Sequence, residues 1–243
     1  MSPTSAFTGP YLLATALSKA PTLQLSFYDF GIILRRQCPD GTFTEYPVDA
    51  SQLAEALAAR THFTTGLLPP DILYVAQVGL KRLVVGYRPP QRTALHVDGG
   101  EQVLRVPLPG LVLVRLTIGN TQPRYGVYAV KTRPTTLAAR LYHAPLPNVY
   151  QNGSICWGSV PTPTVEQLAG TDLSPEWSLL LGSVFTSHGI HGKSRSTPED
   201  IRQLYIALEG RHARSYPTKD LMSVAEVNTL GEVIDRTIGK ELP

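Results

Sequence analysis

The 243-residue sequence predicts an α+β fold: a helix, an antiparallel β-meander and C-terminal helices, behind a small N-terminal β extension. Three observations carry that reading. Residues 72–131 hold successive strand-like runs separated by Gly, Pro-Gly and Gly-Asn turn signals. A capped helical pattern at 49–60 precedes them, and apolar residues recur at helical spacing beyond residue 174. Strands linked by tight turns pair antiparallel, because parallel neighbours need long crossovers.

Taken in order, residues 1–20 are weakly patterned. Leu23, Leu25 and Phe27 alternate with polar residues, and Ile32-Ile33-Leu34 follows Asp29-Phe30-Gly31, which reads as two strands around a turn. Cys38-Pro39-Asp40-Gly41 is a turn by composition, and Thr42 to Tyr46 a third short strand. Asp49-Ala50-Ser51-Gln52 has the form of a capping box, with Leu53, Ala56 and Leu57 on one face of a helix ending near Arg60. Ile72–Val78 and Leu80–Tyr87 meet at Gly79 as a hairpin; Val103–Val106, Leu111–Ile118 and Tyr125–Lys131 continue the meander. Residues 159–172 read as loop. Ser174 as N-cap and Pro175 at the first position then open a helix with Trp177, Leu180, Leu181, Val184 and Phe185 inward. Thr197-Pro198-Glu199-Asp200 opens another, with Ile201, Leu204, Tyr205 and Leu208 inward and Gly210 as its stop. A last helix is expected from Asp220 to about Ile238, with Leu221, Val224, Val227 and Leu230 on its face. The expected plan is therefore an N-terminal extension at 1–48, a core at 49–190 and a helical extension at 191–243.

Composition excludes several classes. Hydrophobic residues make up 42% and charged residues 17%, as in a globular chain low in charge. The aliphatic run Leu111–Val114 is far too short to cross a bilayer. Tyr11–Leu17 faintly resembles a signal core, but no Lys or Arg precedes it, so no secretory signal is expected. Two cysteines make no disulfide framework and point to a reduced, cytoplasmic setting. A net charge of +3 does not by itself imply nucleic-acid binding. The basic stretch at 188–219 is most simply a solvated face, with docking of an acidic partner as its functional alternative and weak DNA contact as a third.

The chain is organised around Leu146-Pro147-Asn148-Val149-Tyr150-Gln151-Asn152-Gly153-Ser154-Ile155-Cys156-Trp157-Gly158. Pro147 stiffens the entry, while Asn148, Asn152 and Gly153 are turn formers. A thiol displayed by such a loop beside an amide side chain suits acyl transfer: sulfur is the nucleophile and an amide N–H can stabilise the oxyanion. The run Pro-Asn-Val, with a glycine and then Ile-Cys at the same spacing, resembles the active-site flap of ubiquitin-conjugating enzymes. Leu146 stands where that motif has histidine. The resemblance is greatest to the prokaryotic ubiquitin-conjugating-like proteins of the PRTRC system protein B type, which also lack the motif histidine and carry histidines downstream. It implies a ubiquitin-conjugating-enzyme-like core of helix, antiparallel β-meander, active-site flap and C-terminal helices. It also implies Cys156 as the thioester-bearing nucleophile and Asn148 as oxyanion stabiliser or flap holder.

His188 and His191, in the stretch His188-Gly189-Ile190-His191, are candidates to deprotonate an incoming amine or the thiol. A zinc site from Cys156, His188 and His191 would lack a fourth ligand. His143 and Trp157 are read as packing residues, Tyr150 as a flap residue packing the motif, and Cys38 as incidental. By resemblance the partners are a small ubiquitin-like protein, a ThiF-like activating enzyme that spends the ATP, and a JAB-type metalloprotease in the same pathway. No bound cofactor and no membrane is implied. Two rival readings stand beside thioester carriage: an inactive conjugating-fold scaffold in a plasmid-borne cassette, and a hydrolase pairing Cys156 with a histidine.

Overall fold

The computed structural model describes residues 23–58, 67–97, 102–168, 170–225 and 227–239. Residues 1–20, with the signal-like run, and the expected helix end at 59–60 lie outside these. The chain divides into two compact units, Met1–Thr64 and Thr65–Pro243.

In the first unit, β1 (Leu23–Tyr28), β2 (Gly31–Gln37) and β3 (Phe43–Val48) form an antiparallel sheet in that order. The helix α1 (Ala50–Ala58) follows. Asp49 caps it as its sequence suggests, accepting from the backbone N–H of Ser51 at 2.8 Å and of Gln52 at 3.3 Å.

The second unit is built on a five-stranded antiparallel sheet. It contains β4 (Ile72–Val78), β5 (Lys81–Arg88), β8 (Gly110–Ile118), β9 (Arg124–Val130) and β10 (Tyr142–His143), in the order β10-β9-β8-β5-β4. The meander is interrupted, however. β6 (Gln91–Val97), which the sequence reading passes over, pairs with β7 (Gln102–Leu108) as a separate two-stranded sheet, so β5 pairs directly with β8. Gln91, Arg92, Thr93 and His96 dilute the apolar alternation of β6, which is why it does not stand out.

Both faces of the large sheet are covered, which is why β8 opens on the unbroken aliphatic run Leu111–Val114. Leu111 and Leu113 point into one core with β6, β7, α2 (Ser174–Gly182) and α3 (Ile201–Gly210). Val112, Val114 and Leu116 point into a second core with Val224, Val227 and α4 (Leu230–Ile238).

Three helix boundaries differ from expectation. α2 stops at Gly182, so Val184, expected inward, is exposed, while Phe185 is buried beyond the helix. Ser174 lies inside α2, whose N-cap is Leu173; the polar partner is Asp172, which accepts from the Ser174 N–H at 2.9 Å and its hydroxyl at 2.7 Å. The single helix expected over 220–238 is a 3-10 turn (Thr218–Asp220), an extended stretch and then α4. Leu221, Val224, Val227 and Leu230 are all buried, as their spacing suggests, yet the backbone between them bonds sideways. The N–H groups of His143 and Leu141 donate to the carbonyls of Met222 and Asn228 at 2.9 and 2.8 Å. Docking beside β10 overrides the local helical pattern. Thr229 and Glu232 then form a complete capping box at the start of α4.

A buried ion pair ties β8 to α2. Arg115 donates to Glu176 at 2.5 Å and to the carbonyls of Gly170 and Asp172 at 2.6 and 3.2 Å, with both side chains essentially inaccessible. Removing one partner leaves a charge stranded in the core. Arg115→Met is therefore expected to destabilise the fold by about 3–5 kcal/mol, and Arg115→Met with Glu176→Leu to recover much of that loss. Urea unfolding of the two variants measures the difference.

Candidate active site

The segment 146–158 folds as a small hairpin on the free edge of β9, alongside β10. Val149 bridges Ile155, Tyr150 N–H donates to Ser154 at 2.8 Å, and Cys156 N–H donates to Asn148 at 2.7 Å. The hairpin joins the large sheet where Gly126 bridges Ser154 and Val127 N–H donates to Gly153 at 2.8 Å. Alternation then gives the hairpin two faces. Val149 and Ile155 pack into the first core, while Tyr150, Ser154 and Cys156 share the outward face. Leu146, in the motif histidine's place, is fully buried in the same core. Gly153 has φ +86°, and any Cβ there would overlap the ring of Tyr128, whose hydroxyl donates to the Asn152 carbonyl at 2.8 Å.

Cys156 is partly exposed. The Tyr150 phenol interacts with the sulfur, through hydrogen bonding first and then the sulfur's charge, and this pushes the phenol's pKa up. Tyr150 itself is about half exposed, at 48%. Trp157 turns inward against the core, edge-on to Tyr125 at 5.4 Å. Burial, with a smaller contribution from the Glu176 carboxylate, pushes the Tyr125 phenol up to about 12.

Asn148 adopts φ +58°, the left-handed region that Asn tolerates better than most residues. Its side chain clasps the segment after α2: Nδ2 donates to Val184 at 3.1 Å, and Oδ1 accepts from the Thr186 hydroxyl at 2.8 Å and N–H at 3.3 Å. One of its two amide protons is thereby committed to holding the flap.

The histidine loop packs against the flap through its backbone. Asn148 N–H donates to the His188 carbonyl at 2.7 Å, and the Gln151 side chain to the His191 carbonyl at 2.8 Å. Both imidazoles are exposed; that of His191 lies 3.9 Å from Glu199. The structure thus brings the two histidines to the flap as a loop, without a ring-to-sulfur hydrogen bond. Among the described residues, no cluster of three or more His, Cys, Asp or Glu side chains could hold a metal.

Two site residues escape the sequence reading. Tyr150 was given only a packing role, although counting alternate residues back from Cys156 across the hairpin would have placed it beside the sulfur. Lys193 carries no such signal. It is fully buried behind the flap, where Nζ donates to the Val149 carbonyl at 2.7 Å, and burial pulls its pKa down to about 8. His143, on β10, is buried too; burial and then the charge of Lys193 hold its pKa down to about 4.

A model of prokaryotic E2 family D matches residues 49–224, and the chain belongs to that family. The match spans the flap, the histidine loop and α3. Neither the curated proteins nor the solved structures include a match. The mixed architecture of antiparallel sheets and few helices accords with an E2-like, that is ubiquitin-conjugating-like, family. Membership supports a conjugating-like, transferase-class function at the level of the family. No helix among the described residues is long and apolar enough to cross a membrane.

Two outcomes follow from this geometry. Gly189 has φ +62°, and a Cβ there would overlap the Val149 carbonyl, so Gly189→Ala must either part the loop from the flap or strain both. A cost of about 1–3 kcal/mol is expected, read as a Tm lowered by roughly 2–10 °C in calorimetry. His143 contributes a pH dependence of defined sign. Its folded pKa lies below the usual 6.5, so between about 6.5 and 4 the unfolded chain binds a proton that the folded chain does not. Stability is lost as pH falls through that window, and His143→Gln should flatten that part of a Tm-versus-pH curve.

Proposed function

We propose that this protein carries a small ubiquitin-like β-grasp protein as a thioester on Cys156 and transfers it to an acceptor nucleophile. The observation that carries the reading is the flap itself: a motif-spaced cysteine, partly exposed on the outward face of a hairpin clasped by the motif asparagine. In the first step the Cys156 thiolate attacks the acyl carbon of the modifier's C-terminus on a ThiF-like activating enzyme. The tetrahedral oxyanion collapses, the enzyme's thiolate leaves, and the acyl group rests on Cys156. In the second step an acceptor attacks the same carbon and the C–S bond breaks.

Each neighbour has a task in that chemistry. The Tyr150 hydroxyl can donate to the departing thiolate, and the Asn148 amide proton not given to Val184 is the available oxyanion donor. Exposed His188 and His191, at the flap's margin, would take the proton of an incoming amine. That the sulfur's side-chain neighbour is a tyrosine, and not a histidine, favours the carrier over the Cys/His hydrolase. The cassette is a plasmid-borne PRTRC-type system in the cytoplasm, with a JAB-type metalloprotease acting in the same pathway.

The test is charging. Incubated with ATP, the neighbouring ubiquitin-like protein and its activating enzyme, the wild-type protein should give a thiol-sensitive adduct on a non-reducing gel, absent in Cys156→Ala. His188→Ala and His191→Ala should charge normally and slow transfer to an amine acceptor about tenfold or more if they act as bases. No adduct from partners shown to be active together would favour the scaffold.

A further inference from the structure

The large sheet has one edge that the chemistry above does not use. The flap and β10 occupy one side of it, and β4 lies at the other, paired among the described residues only with β5. Solvent reaches β4 from that side: Leu73, Tyr74, Val75 and Ala76 are half-buried, whereas Leu83 to Tyr87 in β5 are buried. Edge strands commonly carry a charge or a proline that blocks further pairing. Ile72–Val78 contains neither. Its one irregularity, between Ile72 and Tyr74, leaves the rest of the strand regular.

The pairing pattern fixes which backbone groups face outward. Val78 stands opposite Lys81 across the turn, and the Leu80 carbonyl accepts from Gly119 N–H at 2.9 Å on the β8 side. Alternation then commits Tyr74, Ala76 and Val78 to β5, so Val75 and Gln77 present their N–H and C=O groups outward. The side chains of Tyr74, Ala76 and Val78 border a cavity of about 350 Å³ that Ile234, Asp235 and Ile238 of α4 complete.

Two copies of this edge complement each other. Antiparallel pairing about a two-fold axis at Ala76 sets Val75 of each copy opposite Gln77 of the other, and each such pair exchanges both backbone bonds. Ala76 meets Ala76 at the close, non-bonded position, where a small side chain fits. Tyr74 comes opposite Val78, beside the other copy's cavity, whose charged member, the exposed Asp235, can accept from the incoming phenol. The ends match in charge as well. Asp71 precedes the strand and Lys81 follows it, so antiparallel copies bring the acidic end of one to the basic end of the other. Lys81 already donates to the Ile238 carbonyl, so this match orients the copies without a new ion pair. An edge about 24 Å long, with the cavity beside it, covers on the order of 500 Å² per copy, which is near the lower limit for a specific interface and sets a weak dimer.

We propose that β4 is a self-association edge: two copies pair their β4 strands antiparallel about Ala76, join their sheets into one and seat each Tyr74 at the other's cavity. The flaps then lie at the two far edges of the joined sheet, so both Cys156 sites stay open. This pairing does not rest on the carrier reading.

Sedimentation velocity of the full chain over a range of concentrations tests it. The wild-type protein is expected to dimerise with a Kd on the order of 10–100 µM. Ala76→Lys and Ala76→Glu each set like charges against each other at the two-fold axis and should weaken the dimer tenfold or more. Mixed with each other, the two variants should associate again. Should either variant fail to fold, Gln77→Pro removes one outward N–H from an exposed edge residue and should also give a monomer. A wild-type protein that stays monomeric at every concentration would overturn the proposal; that is the result expected if the edge instead takes an extended segment of another protein. So would a dimer indifferent to Ala76→Lys or Gln77→Pro, or a mixture of the two charged variants that stays monomeric.

Discussion

The site depends on one asparagine held in a left-handed conformation. Asn148 reverses the chain at φ +58°, so that its backbone carbonyl meets Cys156 while its side chain faces the segment after α2. The reversal is a constraint rather than a preference, and neighbouring bonds enforce it. Val184, Thr186 and His188 each bond Asn148, and the hairpin takes up the rest of its backbone. Without that clasp the flap would be a loop on a sheet edge. With it, the sulfur's position is tied to α2 on one side and to β9 on the other.

Buried charge does the remaining fixing, in two different ways. Arg115 and Glu176 neutralise each other, and Arg115 also serves two loop carbonyls, so the pair draws residues 170–176 onto the sheet. Lys193 donates to a carbonyl and, among the described residues, meets no carboxylate; burial pulls its pKa down as expected for a cation in an apolar place. Its contribution is specific all the same: the carbonyl of Val149 is buried behind the flap and needs a donor there. His143 stays neutral beside it, chiefly because it is buried and secondarily because of the Lys193 charge.

Much of this was legible in the sequence because local and tertiary demands coincide. The cap at Asp49, the inward face of α3, most of that of α2 and the Pro-Asn…Gly…Cys spacing all follow from short-range chemistry. The failures share one cause. Leu221, Val224, Val227 and Leu230 have helical spacing, but the described residues of 221–229 lie outside any helix, because bonding beside β10 outweighs a weak propensity. β6 hides because its solvent side is polar and its pairing partner lies outside the main sheet. Lys193 reads as one cation in a basic stretch, and only the assembled fold shows that it is buried.

Leu146 bears most directly on what the flap needs. The ubiquitin-conjugating motif that the flap resembles has a histidine there; here a fully buried leucine fills the first core. A polar side chain at that position would require a partner in an apolar setting. In this chain the polar work is done elsewhere, by Asn148 from the side and by Lys193 from behind, each through a carbonyl it serves. The flap therefore keeps its shape without the motif histidine, and the sulfur's immediate neighbour can be a tyrosine.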